Sequence, residues 1–87
     1  MLPGEDLIER GIADLARGVD SLEAFLVSIG APRLRRIGFE IPRTIASPET
    51  ALYRRLAESD QDSAHSRYNA LIRRLVGFER AAECVGR

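Results

Sequence analysis

The feature that most constrains this chain is an apolar seam near its C-terminus, where Ala64, Tyr68, Leu71, Leu75, Phe78, Ala82 and Val85 recur with gaps of 4, 3, 4, 3, 4 and 3 residues. That spacing keeps one side of an α-helix apolar, because a turn takes about 3.6 residues. Neither Gly nor Pro interrupts it before Gly77. Ile72 and Val76 widen the seam on one flank until it covers roughly half the circumference. A two-stranded zipper needs only a narrow seam. A face this broad belongs either to the central post of a bundle or to a helix that touches its own core on one side and a partner on the other. The pattern predicts a helix over residues 62–85 and gives it the organising role.

Eighty-seven residues fit a single helical domain, 1–87. A chain of that size buries only about two thirds of its unfolded surface, so its stability is marginal and a partner would add to it. Hydrophobic residues make up 45% and charged residues 30%, which reads as globular rather than disordered. No apolar run approaches the roughly 18 residues of a membrane span. Residues 1–5 also lack the basic start and apolar run of a signal peptide, so a cytoplasmic location without membrane contact is expected. Cys84 is the only cysteine, which excludes an internal disulfide and a cysteine metal cluster.

Positive and negative charges balance at thirteen each, and every cation is arginine. A base composition favouring arginine codons is the plainest cause. Arginine forks also pair with carboxylates bidentately and stack on aromatic rings, which suits contact surfaces. Distribution is more telling than the total. Residues 1–30 carry six acids and two arginines, whereas residues 31–57 carry six arginines and two acids. Residues 58–63 add three acids, and residues 64–87 add five arginines against two acids. An acidic first third against a basic middle and end implies either internal complementarity or two oppositely charged surfaces.

Pro3, Gly4, Glu5 and Asp6 have the character of a helix start, and Leu7, Ile8, Ile12, Leu15 and Ala16 follow at helical spacing. Asp6 and Arg10 form an expected i,i+4 pair. The 4,3 rhythm then runs on through Val19, Leu22, Leu26 and Ile29 as one long helix would. Against it stand Gly18, suited to a left-handed C-terminal position, and Asp20 with Glu23, which fit a capping box with Val19 as its staple. Glycine inside a helix costs up to about 1 kcal/mol and a good cap contributes about 1 kcal/mol, so a break at Gly18 and Val19 is expected. Ala31 and Pro32 then end the second helix at Gly30, and residues 33–37 form a short separate turn with Leu34 and Ile37 inward. Residues 38–46 are expected to be an ordered connection pinned by Phe39, Ile41 and Ile45. Ser47, Pro48 and Glu49 mark the clearest helix start, with Leu52, Tyr53, Leu56 and Ala57 as its inner stripe. The polar run at residues 59–63 places a turn before the last helix. The alternative is one unbroken helix over residues 48–85, in which Leu52 and Leu56 would fall well off the seam centre. The expected fold is all-α, a small bundle of four main helices over residues 4–17, 21–29, 48–58 and 62–85, plus a short helical turn near 33–37.

No reaction site is legible. Asp60, Asp62, His65, Ser66, Arg67 and Asn69 cluster, but they sit on one turn and its helix, whereas a catalytic triad needs groups converging from different parts of a pocket. Asp62 and His65 are placed to share a hydrogen bond at a helix start. The arginine followed four to six residues later by histidine that marks certain helical nucleases is absent. So is any Gly-rich phosphate loop, and one histidine with one distant cysteine does not make a metal site. The expectation is therefore a non-enzyme with no catalytic residue, no cofactor and no metal.

By elimination the chain reads as a protein–protein interaction module, most specifically an antitoxin-type small subunit that binds and neutralises a toxin-like partner, or else pairs with itself in a homo- or hetero-oligomer. Its expected partner-binding residues are Arg54, Arg55, Arg67, Tyr68, Ile72, Arg73, Arg74, Val76 and Arg80. The alternative is a DNA-binding regulator. In that reading helix two, a turn at Gly30 and the segment bearing Arg33, Arg35 and Arg36 act as a helix-turn-helix. A six-residue recognition helix and a neutral chain weigh against it.

Overall fold

Of the three glycines with positive φ in the N-terminal half, Gly4, Gly18 and Gly38, the last two follow helices. In a computed structural model, which describes residues 2–85, Gly18 (φ +75°) follows α1, Glu5–Ala16, and Gly38 (φ +120°) follows α2, Leu22–Ile37. At both ends two N–H groups turn back onto the last carbonyls. The N–H of Gly18 donates to the Leu15 carbonyl and that of Val19 to Asp14, while Gly38 donates to Arg35 and Phe39 to Leu34. Only a residue without Cβ takes that left-handed position cheaply, so the glycines set where both helices stop. The expected domain spans residues 1–87, of which Met1, Gly86 and Arg87 lie outside the described residues.

The break at Gly18 stands, but its capping differs from expectation. Ser21 rather than Asp20 is the N-cap of α2, its hydroxyl accepting the Ala24 N–H at 3.1 Å. The same hydroxyl donates to buried Asp14 at 2.6 Å, and Arg17 also bonds that carboxylate. The Ser21 and Arg17 bonds hold the Asp14 carboxyl below the usual carboxylate range. Asp20 is drawn away to Arg43 at 3.1 Å, and Val19 is exposed instead of acting as a staple. Asp6 likewise does not pair with Arg10. It lies 3.9 Å from Arg74, while Arg10 reaches Glu23, so part of the charge split is satisfied between helices.

A larger difference concerns Pro32. The expected stop at Gly30 and the separate turn near 33–37 are absent, because α2 runs through Pro32 to Ile37 as one helix. An internal proline removes the bond its N–H would give the Ser28 carbonyl and costs about 3 kcal/mol. Continuing the helix buries Leu34 completely and Ile37 to 5% exposure. Fully burying two such side chains contributes about 3–6 kcal/mol, which outweighs the proline. Pro32 itself is exposed, so its ring meets solvent rather than a neighbouring helix.

Proline at the first position of α3, Pro48–Ser59, supplies a preset φ. Ser47 precedes it with φ +48°, and its hydroxyl makes no capping bond, contrary to expectation. A turn over residues 60–63 separates α3 from α4, Ala64–Cys84, so residues 48–85 form two helices. All four helices belong to one all-α bundle with a radius of gyration of 12.5 Å, close to the roughly 12 Å expected for a folded chain of this length.

Its hub is α2, which packs against each of the other three helices. Residues 24–28 are buried without interruption, as they must be in a helix flanked on several sides. The organising role therefore falls to α2 and not to the C-terminal helix. The seam of α4 is largely enclosed by its own chain: Ala64, Leu75, Phe78 and Ala82 are buried, and Tyr68, Leu71 and Ile72 pack on the core edge. Val85, the last seam position, is exposed. As expected, Phe39, Ile41 and Ile45 pin the connection between α2 and α3, Phe39 meeting the Phe78 ring at 5.5 Å. Arg43 ties the same connection to α1 by donating to the Leu15 carbonyl at 2.7 Å.

Candidate interaction surface

Continuity through Pro32 creates the most informative surface. Once α2 is one helix, Ile29, Pro32, Arg33 and Arg36 stand at i, i+3, i+4 and i+7 and share a side. With Ile72, Leu75, Val76 and Glu79 of α4 they line a groove of about 280 Å³. Gly30 sets how closely the two helices approach. A Cβ there would lie 2.8 Å from a Leu75 methyl and 3.0 Å from a Glu79 carboxylate oxygen, so a larger residue would require those two side-chain ends to shift.

Glu79 is buried on this seam, with Arg33 at 3.6 Å. Arg33 spends its closer contacts on Glu83, with Nε donating to Oε1 at 2.6 Å. Burial holds the Glu79 carboxyl above the usual carboxylate range; Arg33 opposes the shift, Glu83 adds to it and Arg36 opposes it. Its one ion pair is the longer contact with Arg33.

The expected partner-binding residues do not form one patch. Arg55 lies over the Phe25 ring at 5.2 Å, Arg67 donates to the Ser59 hydroxyl at 2.8 Å, and Tyr68 meets the Tyr53 ring at 5.8 Å. Arg74 is turned towards Asp6. Arg54 stands on the outer side of α3, in a wide and shallow depression with Glu49, Thr50, Tyr53 and Ala57. Ile72 and Val76 instead line the α2–α4 groove, with Arg73 and Arg80 exposed one helical step from Val76. Two of the nine residues, Ile72 and Val76, thus line the groove, while Arg73 and Arg80 stand exposed beside them on α4, Arg73 also lining a separate depression with Pro3, Gly4, Arg74, Gly77 and Phe78. Ile29 and Pro32 join the groove as surface residues that sequence reasoning missed. The i, i+3, i+4, i+7 spacing shows them once Pro32 is placed inside the helix.

The segment considered for nucleic acid is also dispersed. Arg33 is held by Glu79 and Glu83, and Arg35 donates to the Ile41 carbonyl at 3.1 Å, which leaves Arg36 exposed. Gly30 and Pro32 lie within α2, so the turn between two helices that a helix-turn-helix requires does not form there. In the polar cluster, His65 pairs with Asn69 at 3.2 Å rather than with Asp62, whose N–H donates to Asp60. Cys84 is exposed. Among the described residues no group of three His, Cys, Asp or Glu side chains is placed to hold a metal ion, and no helix is long and apolar enough to cross a membrane.

Comparison of the chain with protein-family models, with curated proteins and with solved structures gives no match. Its functional reading rests on its own geometry.

Proposed function

We propose that this chain is a non-enzymatic protein-binding subunit, in its most specific form an antitoxin-type partner that neutralises a toxin-like protein. The observation that supports this reading is the edge of α4, where Arg73 and Arg80 have no partner among the described residues and flank half-buried Ile72 and Val76. Apolar area beside free guanidinium forks is what a protein contact uses, since the forks find carboxylates while the side-chain stems cover apolar surface. Because α2 and α3 already enclose most of the α4 seam, the partner contributes a second protein surface rather than the missing half of a core.

The test is co-expression with the protein encoded beside it. The expected outcome is restored growth and co-elution of the two chains, both abolished by Ile72→Glu combined with Arg80→Glu. Growth unaffected by the chain, with the two proteins eluting separately, would contradict the antitoxin-type form.

A further inference from the structure

We infer that the α2–α4 groove receives an amphipathic helix with carboxylates along both edges, an inference that rests on the protein-binding reading above. The groove is apolar over a short stretch, with Ile29 and Pro32 on one wall and Ile72 and Val76 on the other, and carries Arg33, Arg36 and Glu79 beside it. From residue 72 to residue 79 it extends about 10.5 Å, the span from i to i+7 by which a helix anchors in such a groove. Neither wall is a sheet edge. An extended segment would lay unpaired N–H and C=O groups on the apolar floor, whereas a helix satisfies its own.

Charge fixes the edges of the occupant. Arg36 lines the α2 wall, where its charge acts on Glu79 at longer range, and Arg73 and Arg80 are exposed on the outer side of α4. The nearby acids, Glu79 and Glu83, are already engaged by Arg33. Carboxylates on both flanks of an incoming helix therefore meet exposed guanidinium groups, and a helix with basic flanks is repelled. A second copy of the chain is a poor fit. Among the described residues its exposed large apolar side chains are Val19, Tyr53 and Val85, which lie on different parts of the fold and form no row.

The full chain, labelled with nitrogen-15, is titrated with two synthetic helical peptides that share Leu at i, i+3, i+4 and i+7. One carries Glu on both flanks and the other Lys; a short DNA duplex is the third probe. The Glu peptide is expected to bind saturably, shifting amide signals around residues 29, 36, 72 and 76. Arg73→Glu with Arg80→Glu weakens it by at least about tenfold. Arg36→Ala, on the other wall, gives an independent reading should the double variant fail to fold. Equal binding of both peptides, binding of neither, or tighter binding of the duplex at the same residues would overturn the inference. Tagged wild type and the double variant are then passed through extract of the native host. A stoichiometric partner retained by wild type and lost by the variant supports the groove. The same partner retained by both overturns the groove alone, and no partner for wild type overturns the protein-binding reading together with it.

Discussion

Gly11 and Gly77 make one substitution run in opposite directions. A Cβ at Gly11 would lie 2.4 Å from the Glu23 carbonyl oxygen and 2.4 Å from a Val27 methyl, so α1 and α2 would have to separate. Overpacking of that kind costs about 1–3 kcal/mol or more, against a helix-propensity gain of at most about 1 kcal/mol. Gly11→Ala is expected to lower stability by about 2 kcal/mol in urea unfolding. At Gly77 nothing lies within 4 Å of the added carbon, so Gly77→Ala keeps the propensity gain and raises stability by up to about 1 kcal/mol. Glu79 carries a pH prediction. Its folded carboxyl holds a proton more tightly than the unfolded chain, whose value lies near 4.5. The stability it contributes is fully present below that value and is lost as pH rises through the raised folded value. Glu79→Gln should therefore gain on wild type between pH 4 and pH 7 in urea unfolding, and a constant difference across that window would contradict the assignment.

At the scale of elements, α2 is where packing overrides a local signal. Pro32→Ala restores a donor for the Ser28 carbonyl and removes the ring clash. Part of that roughly 3 kcal/mol returns to the unfolded chain, which gains freedom when proline is lost. A net gain of about 1–2 kcal/mol in unfolding free energy is expected, with the native helical circular dichroism unchanged. Loss of stability instead would mean that the helix does not continue through residue 32. The same residue shows what was legible in the sequence. The break at Gly18 and the turn over residues 60–63 were readable from glycine and polar residue types, although the capping residue Ser21 and the end of α2 at Gly38 were not. The helical seam of α4 and the pinning roles of Phe39, Ile41 and Ile45 were readable too, because apolar spacing reports burial directly. The passage of α2 through Pro32 was not, since it depends on Leu34 and Ile37 reaching a core assembled by distant parts of the chain. The hub position of α2 had a sign in the sequence, the uncharged and mostly apolar run over residues 24–31. A helix buried on several sides shows little periodicity, however, and the clear rhythm of α4 marks a helix covered on one side. The groove shared that fate: half of it was read from α4, and the α2 half became visible only with the helix continuous.

For the whole molecule, what matters is where the core closes. α2 and α3 cover the seam of α4 within one chain, and an arginine-flanked edge is left over. A chain that completes its own core does not need a second copy to fold, so its melting temperature should not depend on concentration. A chain whose C-terminal face is completed by self-association would melt higher when concentrated, because dimer formation stabilises only the folded state. Thermal unfolding paired with sedimentation equilibrium, over about a hundredfold range of protein concentration, separates the two directly. A constant melting temperature with monomer mass throughout is the predicted result; a rising melting temperature accompanied by dimer mass would contradict it.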